Sequence, residues 1–241
     1  MSDPWAPYVE RYRAGEWRDR IFRDMVLADA ATPGGRPTVL DIGCGKGLDG
    51  SVPLQRSVAE ASGRFIGVEP DPEIPLGGHF TETHRCLFED APLAPGSVRL
   101  AYSVMVLEHL PAPEAFWAKL YDVLCDGGVF WALTVDARHP FCRASLLAER
   151  LKIKGPYLRL LNGRRGVDRY ENYETFYRSN TPEDVRRLAA RFSDATFVNF
   201  ARVGQWGAYF PGPLRPAVDR LDRRAIARGR PGTLLAIRVQ K

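Results

Sequence analysis

Cysteine is scarce in this chain of 241 residues, and the four present, Cys44, Cys86, Cys125 and Cys142, form no CxxC pair and no regular framework. That excludes a disulfide-stapled scaffold and a clustered zinc site, and it points to a reducing, cytoplasmic compartment. No stretch approaches the roughly 20 apolar residues that a membrane span requires. The start, Met1-Ser2-Asp3-Pro4-Trp5, lacks a charged leader followed by an apolar run, so a soluble protein is expected. Internal repeats are also missing. What the chain does have is 45% hydrophobic content, enough to bury the core of one large α/β domain, and residues 1–241 read as that single domain. The net charge of +5 is unevenly placed, because the tail after Arg202 sets many arginines against only Asp219 and Asp222. Such a tail is either a solvated face or a surface for an anionic partner.

Apolar, β-favouring runs recur at Thr38–Ile42, Arg64–Glu69, Leu100–Val104, Gly128–Val135, Thr196–Ala201 and Thr233–Val239, with a weaker one near His84–Phe88. Helix-like stretches separate them, which predicts a seven-stranded, mostly parallel sheet with helices on both faces. Tyr8–Ala30 reads as a leading helix before the Thr32-Pro33-Gly34-Gly35 break. Pro113–Leu124 reads as another, with Asp126-Gly127-Gly128 as its C-terminal stop. A third begins at Thr181-Pro182-Glu183-Asp184, with threonine as N-cap and proline in the first turn. Residues 138–180 break the rhythm and are expected to be an insertion that caps the site. In the tail, Leu214, Val218 and Leu221 recur at helical spacing among arginines. That pattern suits either contact with an anionic membrane surface or a helix packed on the sheet, and the returning strand at Thr233 favours packing.

The most informative segment is Val39-Leu40-Asp41-Ile42-Gly43-Cys44-Gly45-Lys46-Gly47, an apolar strand that runs into glycines on alternate positions. Such a loop lets the backbone approach a ligand that side chains would exclude, and its N–H groups favour an anionic group. Leu48 stands where a dinucleotide fingerprint needs its third glycine, which counts against NAD and FAD. Glu69 ends the next strand, where a carboxylate can accept hydrogen bonds from both ribose hydroxyls.

Residues 36–135 resemble the class I, Rossmann-like S-adenosylmethionine (SAM)-dependent methyltransferase family, in its small-molecule and lipid-quinone branch. Val39–Gly47 is similar to the family's first motif. The resemblance implies that Gly43, Cys44, Gly45 and Gly47 cradle the methionine part of SAM, that Asp41 either orders the loop or reaches the amino group of SAM, often through water, and that Glu69 holds the ribose. Leu87 and Phe88 fall where the family reads adenine; with Leu87 in place of the usual acid, Glu89 or a backbone carbonyl takes that role. Val98-Arg99 replaces the usual Phe-Asp pair. Ser103–Leu110 resembles the fourth strand and its Leu-Glu-His ending, with Val104 at a position that packs on SAM. Leu124-Cys125-Asp126-Gly127-Gly128 is similar to the Leu-x-Pro-Gly-Gly turn, with Asp126 in place of proline.

Methyl transfer from a sulfonium is an in-line displacement, so positioning and water exclusion dominate. A base matters when the acceptor is an alcohol or phenol and matters less for an amine. Ligands in open α/β sheets bind at the carboxyl ends of the strands, which makes His109, beside Glu108, and Asp136 and His139 the candidate catalytic residues. A hydrogen-bonded structural histidine is the alternative for His109 and a turn-forming His139-Pro140 the alternative for the residues after the fifth strand, while His79 and His84 read as surface residues. Within the insertion, Tyr170, Tyr173, Tyr177 and Arg178 mix aromatic faces with hydrogen-bonding groups, which suits a polar ring or an anionic substituent; an ordinary packed cap is the alternative.

A small-molecule acceptor, an oxygen of a glycan, glycolipid or secondary metabolite, is the leading expectation. A nucleic-acid methyltransferase is the second reading, supported only by the basic balance: the sequence contains no Asn-Pro-Pro-Tyr-type motif, no separate RNA-binding module and no dense patch of Lys and Arg interleaved with aromatics. No nucleic-acid partner is therefore expected. A non-catalytic SAM-binding scaffold is the third, and a dehydrogenase the weakest.

Overall fold

The computed structural model describes residues 3–31, 35–153, 155–157, 160, 174–205 and 207–241. Its elements follow in chain order as α1 (Ala6–Arg13), α2 (Arg18–Ala30), β1 (Thr38–Ile42), α3 (Val52–Ala61), β2 (Arg64–Val68), β3 (Glu82–His84) and β4 (Val98–Val104). Then come α4 (Pro113–Val123), β5 (Leu124–Val135), α5 (Pro140–Arg150), α6 (Pro182–Leu188), β6 (Asp194–Phe200), α7 (Arg215–Ala227) and β7 (Leu234–Gln240).

The strands form one sheet in the order β3-β2-β1-β4-β5-β7-β6. β1 pairs in parallel with β2 and β4, and β2 with β3 and β4 with β5 do the same, whereas β7 runs antiparallel between β5 and β6. Side-chain alternation divides the core between the two faces. Val39, Phe65, Leu100, Tyr102, Trp131 and Ala236 pack with residues of α1, α2 and α3. Leu40, Ile66, Ala101, Phe130 and Ile237 pack with α4 and α6 on the other face. Both faces are covered, which is why the central strands read as near-continuous apolar runs. Trp131 is fully buried, and its indole N–H donates to Asp29 of α2 at 2.7 Å. Arg238 of β7 grips the same carboxylate with two hydrogen bonds of 2.8 and 3.0 Å, tying α2 to the sheet.

Several sequence-based expectations need correction. The leading helix is two helices, broken at Ala14 to Trp17, with Arg11 bridging the break through hydrogen bonds to Glu16 and Asp24. The weak strand lies earlier, at Glu82–His84, because Phe88 turns into the core in a single 3-10 turn, Phe88–Asp90. Asp126-Gly127-Gly128 does not stop α4. That helix ends at Val123 with Leu124 already extended, and Gly127, at φ 69°, lies inside β5 where its register against β4 shifts between Val98 and Leu100. On α7, Val218 and Asp222 face inward, Asp222 accepting from the Gly204 N–H at 2.9 Å, while Leu214 and Leu221 stay exposed. The N-cap of α6 is as expected: the Thr181 hydroxyl accepts from the Asp184 N–H at 3.1 Å.

Candidate functional site

The parallel pairing brings the carboxyl ends of β1, β2 and β4 side by side, with Ile42 opposite both Val68 and Ser103. Each end delivers one part of the site. After β1, the N–H groups of Gly43 and Cys44 both donate to the Val68 carbonyl, at 2.8 and 3.2 Å, and this turns the chain sharply across the strand ends. The Gly45 N–H then donates to the Glu69 carboxylate at 2.9 Å, and the Asp71 N–H donates to its other oxygen at 3.0 Å. Glu69 is thereby held at the mouth of β2, buried but close to the glycines.

The glycines are required by close approach. A Cβ on Gly43 would lie 2.5 Å from Val106 Cγ2, and one on Gly45 would lie 2.6 Å from Glu69 Oε2 and 2.9 Å from Ile74 Cγ2. Gly43 also has φ 74°, a conformation side chains resist. The result is a cradle lined by backbone beside a carboxylate. Cys44 contributes only backbone: its Sγ packs against Gly67, and burial pushes its thiol pKa up.

Beneath the loop is a buried polar network. Gln55 of α3 donates from Nε2 to Asp41 Oδ2 and to the Cys44 carbonyl, both at 2.7 Å, and Tyr102 donates to the same Asp41 oxygen at 2.5 Å. Gln55 Oε1 accepts from His79 Nε2 at 2.8 Å, which assigns that proton because an amide oxygen only accepts. Burial raises the Asp41 pKa to about 7, against the opposing hydrogen bonds from Tyr102 and Gln55. Asp41 therefore orders the loop from below, with its carboxylate directed at Tyr102 and Gln55. On the far side of the loop, Arg18 at the start of α2 makes a two-pronged ion pair with Asp49, at 2.7 and 2.8 Å.

Of the residues expected near adenine, Leu87 is 58% exposed, whereas Phe88 is in the core with its ring centroid 5.0 Å from that of Phe116. Glu89 and Val104 are half-buried.

The three candidate bases differ sharply. His109 follows β4, and its Nδ1 lies 2.8 Å from the Glu174 carbonyl oxygen. A carbonyl only accepts, so Nδ1 carries the proton and Nε2 is the basic nitrogen of the neutral ring. His139 has the opposite arrangement. Its Nδ1 accepts from the Phe141 N–H at 3.2 Å, so its basic nitrogen is already engaged, and burial lowers its pKa. Asp136 is fully buried: Arg138 donates to both of its oxygens, at 3.0 and 2.7 Å, and Asn199 donates to Oδ2 at 2.8 Å. Glu108 lies beside His109, and burial raises its pKa. Its Oε2 accepts from Thr134, which in turn accepts from Asn180, at 2.7 and 2.6 Å.

The strap 174–180 closes over this edge. The N–H groups of Phe176 and Tyr177 donate to the Glu108 carbonyl, at 2.8 and 3.3 Å, and Arg178 donates to the Pro111 carbonyl at 2.6 Å. Tyr177 has φ 50°, and burial pushes its phenol up to about 12. Asp49 and Met105, the latter just past β4, share that left-handed conformation, so three of the four non-glycine examples among the described residues border the site. Tyr170 and Tyr173 lie outside the described residues.

A family model described as a methyltransferase domain matches residues 9–192, about three quarters of the chain. The chain belongs to that methyltransferase-domain family. An uncharacterized methyltransferase of Mycobacterium sp. (strain KMS) is 34% identical over 109 residues, 42% of this chain and 40% of that protein. The chain thus covers about 40% of the length of the curated relatives it matches. Among solved structures, a SAM-dependent methyltransferase from Thermotoga maritima aligns with 98% of this chain and 92% of its own, at 18% identity and a TM-score of 0.57. Geranyl diphosphate C-methyltransferase from Streptomyces coelicolor, in complex with Mg2+, geranyl diphosphate and S-adenosyl-L-homocysteine, aligns with 96% of this chain and 88% of its own, at 14% identity and a TM-score of 0.55.

The fold is of the class I, Rossmann-like type shared by solved methyltransferases whose cofactor is S-adenosylmethionine. The residues present fit it: a cradle that a Cβ would fill, bounded by a strand-end carboxylate, suits a nucleoside joined to an amino acid. Two clefts, of about 250 and 430 Å3, lie elsewhere, around Arg13, Ala201 and Ile226. Sequence reasoning missed Arg18, Gln55, Ile74 and Tyr102. Only Gln55 left a signal: a glutamine one turn from Val58 on the apolar stripe of α3.

Proposed function

We propose that this methyltransferase transfers the methyl group of SAM to an oxygen of a small molecule, a glycan, glycolipid or secondary metabolite. When bound, SAM supplies a sulfonium-linked methyl group open to in-line attack. The glycine loop, Gly43 to Gly47, holds the methionine part, with Asp41 fixing the loop from beneath. Glu69 takes the ribose hydroxyls, Leu87 offers adenine an exposed apolar surface with Glu89 two residues on, and Val104 packs on SAM. Residues 36–135 form the cofactor-binding core of one domain spanning 1–241, and 138–180 form the cap over the acceptor. Tyr170, Tyr173, Tyr177 and Arg178 belong to that cap, in which Arg178 pins the strap.

The observation that carries the choice of oxygen is the His109 ring. With Nδ1 bonded to the Glu174 carbonyl, Nε2 can take the proton of an acceptor hydroxyl as the new bond to carbon forms. Asp136 and His139 act as structural anchors for the turn after β5. The compartment is cytoplasmic, in keeping with four free cysteines among the described residues. Among those residues, no helix is long and apolar enough to cross a membrane.

The test is a screen of glycosides, phenols and lipids for SAM-dependent release of S-adenosylhomocysteine. Turnover on a hydroxyl acceptor, lost in His109→Gln with SAM affinity retained, supports the reading. Turnover confined to amines, or unchanged by His109→Gln, overturns it.

A further inference from the structure

We propose that the connections after β5 and after β6 together form a face that docks on an anionic lipid bilayer. The proposal goes beyond the methyl-transfer reading and stands independently of it. Seven of the ten exposed large hydrophobic residues among the described residues fall in these two connections. Leu147, Leu151, Ile153 and Leu160 come from the first, with Leu160 85% exposed; Leu214 and Leu221 come from the second. Exposed apolar residues scattered singly are normal, but a concentration in two touching segments marks an interaction surface. The segments do touch. The Tyr157 hydroxyl donates to the Tyr209 carbonyl at 2.7 Å, and the Phe141 and Tyr209 rings lie 4.8 Å apart.

Charge says what covers this face. Residues 138–160 and 207–230 together hold twelve Lys and Arg against three acids, a net of +9 in a chain whose total is +5, so the rest of the chain is net −4. Of these charges, Asp222 accepts from the Gly204 N–H and Arg138 is paired with Asp136, just outside the first segment. On α5, Leu147 is exposed together with Arg143, one turn before it, and Arg150, one turn after it, and Leu151, just past the helix end, is exposed as well. Leucines that enter the acyl boundary, beside arginines that reach headgroup phosphates, are the signature of an interfacial helix.

Topology places this face at the site. β6 runs parallel to β5, because both lie antiparallel to β7, and Val135 and Phe200 both pair with Leu234. Both connections therefore leave the sheet at its carboxyl edge, where Glu69 and His109 also sit. A bilayer on this face would meet the acceptor end of the molecule.

The experiment is co-sedimentation of the full chain with vesicles of phosphatidylcholine alone and of phosphatidylcholine with phosphatidylglycerol. Binding to the anionic vesicles is expected, falling at least about tenfold when salt is raised to about 0.5 M. The variant L147E/L151E should lose that binding while keeping SAM affinity. Arg220→Glu with Arg224→Glu, both on the exposed side of α7, should weaken it about tenfold or more and guards against misfolding of the first variant. No binding to anionic vesicles overturns the proposal. So does a dimer, measured by sedimentation velocity, that L147E/L151E dissociates, for then the face joins two copies of the chain.

Discussion

His109 donates from Nδ1 to the carbonyl oxygen of Glu174, 2.8 Å away. This bond joins the end of β4 to the strap 174–180 and fixes which ring nitrogen is basic. His139, 30 positions on, has the reverse arrangement, with Nδ1 accepting from Phe141. Nitrogen-15 NMR of the histidine rings should show His109 as the Nδ1–H tautomer and His139 as Nε2–H near neutral pH. An Nε2–H His109 would remove its claim to act as a base.

Asp136 is an anchor in this account, and its removal should register in stability. Asp136→Ala leaves Arg138 without its carboxylate and takes from Asn199 one of three acceptors, the Gly232 and Leu234 carbonyls remaining, which is expected to cost about 1–3 kcal/mol in chemical denaturation. SAM affinity should be unchanged. A variant with full stability and lost turnover would instead make Asp136 a reacting group.

Asp41 links pH to stability. Its folded pKa, about 7, lies above the unfolded value near 3.8, so the folded state binds the proton more tightly. The stabilising contribution is present in full below the unfolded value. It is lost as pH rises through about 7, with a total on the order of a few kcal/mol. Chemical denaturation of the cofactor-free protein from pH 4 to 8 should show this decline, and Asp41→Asn should flatten it. An equal slope in the variant would assign the effect to other groups, of which Glu108, also raised by burial, is the first to test.

The cradle makes a steric prediction. Gly45→Ala places a methyl group 2.6 Å from Glu69 Oε2, so the loop or the carboxylate must move. SAM affinity should fall at least about tenfold, or 1.4 kcal/mol, with the circular dichroism spectrum unchanged. Gln55→Leu, which removes the donor to Asp41 and Cys44, should weaken SAM binding in the same direction. Affinity equal to that of the unmodified protein in both would remove the loop from the cofactor site.

The sheet was legible because its strands are buried on both faces, and Val39-Leu40 or Ala132-Leu133 can be little else. The cofactor loop was legible because a close backbone approach demands glycine at fixed positions. Partners distant in sequence were not legible. Nothing in Arg18 announces Asp49, 31 positions away, and nothing in Tyr102 announces Asp41. Asp136 and His139 sit at the right strand end, yet hydrogen bonds to Arg138, Asn199 and Phe141 occupy the atoms that base chemistry would need. Sequence position gives the edge of the sheet; only geometry shows whether a side chain is already engaged. The tail misled for a related reason, since helical spacing named Leu221 as a packing residue while a buried hydrogen bond from Gly204 drew Asp222 inward instead.

The most direct test of the account is calorimetric titration of the purified protein with SAM and, separately, with NADH. The account predicts binding of SAM with a dissociation constant on the order of micromolar, weakened in Glu69→Ala, and no binding of NADH. A folded protein that binds no SAM, or that binds NADH instead, would contradict it.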